Sequence, residues 1–227
     1  MNICVISSTT YPCPPTSYGG EIFYWDLCCG FSDLGHNVTL YAAPGSKVPP
    51  GGKLCYLRGS YGNMDPDSEW LAVDWYISEI LENDMILDCS HTRAVSEEIY
   101  CFYPDQKHKL INVLNGVSVP RIPYNIVVGS KKWQELMERG VTQFKGTPWE
   151  FLYGAKHPAL NNGEILGYTH WACNTTFYTP GDDKKEDYFL WMARTSPYKG
   201  LHKVLELAVD IDFPLKLIMP VKMAEHA

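Results

Sequence analysis

Short runs of β-branched and other apolar residues alternate along this chain with longer segments whose apolar positions recur every three or four residues. The runs read as strands and the longer segments as helices. Strands are predicted over Asn2–Ser8, His36–Ala43, Leu54–Leu57, Asp84–Cys89, Lys109–Leu114 and Asn125–Gly129, with one more inside Gly163–His170. Helices are predicted over Glu21–Leu34, with Ile22, Phe23, Leu27, Phe31 and Leu34 in the apolar row, and over Asp67–Glu82, with Trp70, Leu71, Asp74, Ile77, Ile80 and Leu81 in its rows. Two more are predicted over Arg93–Phe102 and Ser130–Arg139. Gly35 stands where a helix ends in a left-handed residue, and Ser130 where an N-cap side chain opens one. Thr9–Gly20 carries three prolines and two adjacent glycines, which regular structure does not tolerate.

The pattern restarts near the end of the sequence. Tyr188–Ala193 is a run of large apolar residues, the mark of a buried strand. It is followed by Arg194, a turn at Pro197, Lys199-Gly200, a helix from about Leu201 to Asp210 and a strand over Leu215–Met219. Before it lies Thr175–Glu186, polar, with Pro180 and Gly181, which reads as an exposed interdomain linker. Strands alternating with helices predict an α/β protein with a doubly wound parallel sheet. The order of elements predicts a Rossmann-like domain over 1–174, a linker over 175–186, and the first βαβ unit of a second, incomplete Rossmann-like domain over 187–227.

Composition narrows this picture. The chain has 227 residues, 45% hydrophobic and 20% charged, the balance of a globular protein. A formal net charge of −7 argues against a nucleic-acid partner, whose backbone selects cationic density. No apolar run is long enough for a transmembrane span, and MNICVISSTT reads as a first strand rather than a signal peptide. The eight cysteines, at 4, 13, 28, 29, 55, 89, 101 and 173, form no C-x-x-C pair. They read as buried free thiols of a cytoplasmic protein, with no zinc site. The 13% aromatic content, with seven Trp and fifteen Tyr, suits a packed core as well as a sugar-binding face.

The ligand crevice of a doubly wound sheet lies at the carboxyl ends of its strands. Candidate functional residues there are Ser7–Gly20, Ser90–Arg93, Asn115-Gly116, Ser130 and 194–199. Tyr18-Gly19-Gly20 at a helix start lets a ligand approach the backbone, where free N–H groups favour an anion or sugar hydroxyls. It also reads as a sharp turn, and it is neither G-x-G-x-x-G nor a Walker A loop. His91 follows a strand end and could bond a sugar or move a proton, or serve the structure alone. His36 lies at the opposite end of its strand. Asp84, Asp88, Glu97 and Glu98 form no evident acid–base pair, and no nucleophile elbow is present. Arg194 and Lys199, flanking a proline turn, could bind a diphosphate and neutralise the charge that builds on it. A solvated basic turn is the other reading.

Several segments in order resemble the N-terminal part of a GT-B glycosyltransferase, closest to the retaining family-4 group. They are the opening through Tyr18-Gly19-Gly20 and the Gly35-His36 pair, Leu87–His91, Asn125–Lys132, and Phe177–Gly181 followed by DYFLWMARTSPYKG. The resemblance implies transfer of a sugar from a nucleotide-sugar donor to a sugar, glycan or lipid acceptor, without metal or cofactor. It implies that Arg194 and Lys199 contact the donor diphosphate, that His91 lies near the transferred sugar, and that Gly19 and Gly20 form the glycine loop. Tyr18, Asn115 and Ser130 join them as expected substrate contacts. The family's acidic E-x7-E donor element would fall beyond Ala227, Asn174-Thr175-Thr176 replaces the usual Asn-Gly-Val-Asp, and Ala193 replaces the glycine before the arginine. Three explanations follow: a truncated chain, a half that pairs with a second polypeptide carrying the donor pocket, or a degenerate binding protein. The apolar strands Tyr188–Ala193 and Leu215–Met219 would expose sheet edges unless covered, so a homo-oligomer or a second chain that completes the donor domain is expected. The competing readings are a non-catalytic sugar or nucleotide-sugar binding protein on the same fold and, disfavoured by the missing glycine fingerprint, a nucleotide-dependent oxidoreductase.

Overall fold

The computed structural model describes residues 1–15, 19–57, 66–114, 125–138, 165–170, 179, 181, 186–193, 195 and 197–219. The chain divides into two compact units, Met1–Thr175 and Thr176–Ala227. The first holds strands β1 (Asn2–Ile6), β2 (Asn37–Ala42), β3 (Lys53–Tyr56), β4 (Met85–Asp88), β5 (Leu110–Leu114), β6 (Ile126–Val128) and β7 (Ile165–Tyr168). Helices α1 (Gly19–Asp33), α2 (Pro66–Leu81), α3 (Ala94–Phe102) and α4 (Lys131–Glu138) alternate with them, and a 3-10 helix, Pro104–Lys109, precedes β5. The strands form one sheet in the order β3-β2-β1-β4-β5-β6-β7, and every neighbouring pair is parallel. This is the α/β Rossmann-like sheet expected from the alternation.

Strand periodicity explains the layering. In β1, Ile3 and Val5 point to one face and Cys4 and Ile6 to the other, because successive side chains alternate. Ile3 and Val5 join Phe23, Tyr24 and Cys28 of α1, with Val38 and Leu40, in one core cluster. Cys4 and Ile6 join Ala72, Val73 and Ile80 of α2 and Ala94, Val95 and Ile99 of α3 in the other. A sheet covered on both faces buries near-continuous apolar strands, and each buried aliphatic side chain contributes about 1.5–3 kcal/mol.

Local signals set the helix ends. Gly35, at φ +82°, ends α1. The Gly35 N–H donates to the Ser32 carbonyl at 2.9 Å and the His36 N–H to the Phe31 carbonyl at 3.0 Å, a Schellman closure. The Ser130 carbonyl accepts the Gln134 N–H at 3.0 Å, the first turn of α4, which places Ser130 at the N-cap position.

Two periodicity readings are corrected. In α2 the core face runs through Glu69, Ala72, Val73 and Ile80, while Asp74 is exposed. Ile80 is buried as the pattern predicts, and Trp70, Ile77 and Leu81 pack against the same core from its margin, while Ala72 and Val73 are enclosed with Ile80. In α1, Leu34 is exposed beside the closing glycine rather than part of the packed row.

The second unit contains β8 (Phe189–Met192), a 3-10 turn (Pro197–Lys199), α5 (Leu201–Asp210) and β9 (Leu215–Ile218). β8 and β9 are parallel, from Phe189↔Leu215 to Met192↔Ile218. The βαβ arrangement matches the sequence, but the burial does not. Phe189, Leu190 and Met192 are exposed and α5 has no buried residue, because the two strands and one helix among the described residues cannot by themselves enclose an apolar strand.

Among the described residues, Cys4, Cys13, Cys28, Cys55 and Cys89 are buried free thiols, Cys29 is half-buried and Cys101 exposed. Cys173 lies outside the described residues. Burial pushes the Cys28 thiol up to about 12 and raises Cys4 and Cys89 as well, so these sulfurs stay protonated and weakly nucleophilic. No helix among the described residues is long and apolar enough to cross a membrane.

Candidate functional site

The strand order places β1 and β4 side by side, with β2 and β3 to one side and β5 to β7 to the other. The crossovers diverge at that junction, and the carboxyl ends of β1 and β4 there are where the ligand crevice of a doubly wound sheet is expected. Each strand becomes polar there. Ser7, Ser8, Thr9 and Thr10 follow β1, and Ser90, His91, Thr92 and Arg93 follow β4 after Cys89. The pairing continues past the strand ends, with the Ser7 N–H donating to the Tyr41 carbonyl and the Cys89 N–H to the Ile6 carbonyl, each at 2.9 Å.

The first turns of two helices meet these loops. The Ser8 hydroxyl donates to Glu21 Oε1 of α1 at 2.5 Å, and Thr9 Oγ1 lies 2.8 Å from Ser68 Oγ of α2. The Thr10 hydroxyl is buried and has no hydrogen-bond partner among the described residues. Ser8, Thr9, Thr10, Glu21 and Ser68 are all buried, so this edge of the sheet is polar; the buried Ser7 hydroxyl, like that of Thr10, has no hydrogen-bond partner among the described residues.

Beneath the β4 loop sits a buried hub. Asp88 Oδ1 accepts the Ser90 N–H at 3.0 Å and its hydroxyl at 2.6 Å, and Oδ2 accepts the Ser96 N–H at 3.1 Å and its hydroxyl at 2.5 Å. The Ser96 N–H is in the first turn of α3, so Asp88 satisfies a helix terminus that no N-cap side chain serves. Arg93 occupies the cap position at φ 62° and is buried. Its guanidinium donates to the Asp88 carbonyl and to the Val113 carbonyl, the latter at 2.7 Å, and lies 3.5 Å from Asp88 Oδ1. Arg93 thus ties β4, β5 and α3 together and is occupied by the fold.

His91 stands above this hub. Its side chain is 40% exposed, whereas Glu69, which faces it from α2, is 4% exposed. Glu69 Oε1 accepts the His91 N–H at 3.2 Å, and Oε2 accepts the Thr92 N–H at 2.6 Å and the Thr92 hydroxyl at 2.5 Å. His91 Nδ1 lies 3.8 Å from Oε1. Burial pushes the Glu69 carboxyl up, but hydrogen bonds from His91 and Thr92 outweigh it and hold the group below its ordinary value.

Of the sequence candidates in the first unit, His91 and Gly20 lie on the segments that frame this crevice, and Gly19 opens α1. Ser130 caps α4 and is half-buried. Tyr18 and Asn115 lie outside the described residues. In the second unit Lys199 is exposed on the 3-10 turn, and its carbonyl accepts the Trp191 indole N–H at 3.4 Å. Arg194 lies outside the described residues, as does nearly all of the 175–186 linker. Glu69 was missed by sequence reasoning. The available signal was its place on the same helical row as Ala72, Val73 and Ile80, which marks a carboxylate carried into the core. The Asp88–Arg93 pair was missed as well, because neither charge has a helical or strand spacing to the other.

No family model matches the chain, and no curated protein sequence matches it significantly. Among solved structures, the chain is similar to AviGT4, a glycosyltransferase involved in avilamycin A biosynthesis, at 18% identity and a TM-score of 0.54. That match covers 94% of this chain and 55% of the other. An α-glucosyltransferase solved with UDP and a 13-mer DNA containing an HMU base matches at 12% identity and a TM-score of 0.49, over 93% and 54% of the two chains. The chain therefore spans about half the length of the solved structures it matches. The likeness to AviGT4 shows a shared fold, and with the sheet order it establishes this chain as an α/β Rossmann-like protein.

Proposed function

We propose that this chain belongs to a GT-B glycosyltransferase of the retaining family-4 type, with an acceptor-side domain over 1–174, a linker over 175–186 and the first part of a donor domain over 187–227. The observation that carries this reading is the polar crevice at the β1/β4 junction of a Rossmann-like sheet whose fold is shared with a glycosyltransferase. In this reading the first unit shapes the acceptor side, with His91 and the Tyr18-Gly19-Gly20 loop beside the reacting sugar and Asn115 and Ser130 as further contacts. Arg194 and Lys199 bind the diphosphate of a nucleotide-sugar and stabilise it as it leaves, which serves in place of a metal ion.

Calorimetric titration with a panel of sugar nucleotides, nucleoside diphosphates and NAD(P) tests this. Binding of a sugar nucleotide is expected, and Arg194→Ala and Lys199→Ala should each weaken it by about 1.5–3 kcal/mol, the worth of a charged hydrogen bond. Tight NAD(P) binding without any sugar-nucleotide binding would overturn the transferase reading. Unchanged affinity in both variants would make the 194–199 loop a solvated turn.

A further inference from the structure

Glu69 does more than close the base of the crevice. Its two oxygens take three hydrogen bonds from consecutive residues, the His91 and Thr92 N–H groups and the Thr92 hydroxyl. This fixes the backbone of the loop that carries His91 to the first turn of α2. The same carboxylate faces one edge of the imidazole, with Oε1 3.8 Å from Nδ1. That separation exceeds a hydrogen bond but lies within ion-pair reach. A lone pair on Nδ1 pointing at a buried carboxylate is repelled, whereas an N–H there is attracted. The proton on a neutral imidazole goes to the nitrogen whose partner accepts it.

We infer that Glu69 is a positioning residue that holds neutral His91 as its Nδ1–H tautomer, leaving Nε2 as a hydrogen-bond acceptor for a ligand hydroxyl. The inference deepens the proposed reading of His91 as a ligand-facing residue and rests on it only for the identity of that ligand. An accepting nitrogen suits a polyhydroxylated neutral group such as a sugar and repels a phosphate oxygen. Because Glu69 is buried and His91 is partly exposed, the carboxylate acts through the histidine and does not itself meet the ligand.

The test is the tautomer itself, read by long-range proton–nitrogen correlation spectra of histidine-labelled protein near pH 8, where a free histidine is neutral. His91→Gln assigns the resonance among the seven histidines of the chain. The wild type is expected to show a pyrrole-type Nδ1 and a pyridine-type Nε2 at His91. Glu69→Gln should lose that signature in favour of the Nε2–H form preferred in water. Thr92→Val, which removes one donor to Glu69 and keeps the carboxylate beside Nδ1, should retain it. A wild-type His91 in the Nε2–H form would overturn the inference, as would a folded Glu69→Gln protein with an unchanged tautomer. If Glu69→Gln fails to fold, the wild-type and Thr92→Val spectra decide. None of these readings depends on sugar transfer, so the inference can fail while the transferase reading stands, and the reverse.

Discussion

Both units of this protein contain a parallel βαβ arrangement, β1-α1-β2 in the first and β8-α5-β9 in the second, and their burial is opposite. In the first, Ile3, Cys4, Val5 and Ile6 of β1 are all enclosed. In the second, Phe189, Leu190 and Met192 of β8 are 63%, 53% and 69% exposed. Both strands are largely apolar, NICVI and FLWM, and both pair in parallel register. The difference lies in what surrounds them. β1 has a strand on each side and helices on both faces, whereas β8 has one neighbouring strand among the described residues. An apolar run thus encodes the capacity to be buried, and the number of layers decides whether it is. The first unit also encloses a charge pair, Asp88 with Arg93, beside exposed pairs such as Lys53 with Glu79, whereas in the second Lys216 pairs with Glu186 at 3.1 Å and lies 3.6 Å from the Tyr188 ring centre on the surface.

The strongest way to break this contrast is at the buried hub. Asp88→Ala leaves Arg93 without its carboxylate and the first turn of α3 without its acceptor, and urea unfolding is expected to show a loss of about 3–5 kcal/mol. A paired test of apolar burial comes next. Ile86→Ala, in the core of β4, should cost about 2–5 kcal/mol, whereas Leu190→Ala should cost less than about 1 kcal/mol in the same assay. Equal losses at the two sites would mean that β8 is covered in solution, which an oligomer or partner chain would accomplish.

Glu69 sharpens the comparison for buried charge. Glu69→Ala should destabilise the protein by about 1.5–3 kcal/mol at neutral pH through loss of hydrogen bonds to a charged group. Because the folded carboxyl lies below its ordinary value of 4.5, its contribution is present above that pH and is lost as the pH falls through the lowered folded value. The stability difference between wild type and variant is therefore expected to narrow below pH 4.5, which denaturant titrations at several pH values would measure. A difference that grew on acidification would contradict the assignment. The smallest effect belongs to Lys216→Ala, whose exposed ion pair is screened by water and should leave the unfolding midpoint unchanged.

Much of this molecule was legible from local pattern. The alternation of strands and helices, the closure of α1 at Gly35, the start of α4 at Ser130 and the position of His91 after a strand all follow from periodicity and from residue types that favour particular backbone angles. These signals act over a few residues, so a sequence carries them without knowledge of the fold. The placement of His91 at the carboxyl edge of the sheet also followed, because the carboxyl ends of parallel strands all lie on one edge.

What the tertiary structure decided is which of those strand ends meet, and with what. The reversal of strand order sets β1 beside β4 although β2 and β3 intervene in sequence, and this brings Ser8 and His91 to the same junction. It also carries Glu69 across from α2 to hold the backbone of residues 22 and 23 positions further on. No periodicity spans that separation, because the contact exists only once two helices and two strands have packed. The exposure of Phe189–Met192 has the same origin: hydrophobicity is a property of the residues, and burial is a property of the layers around them.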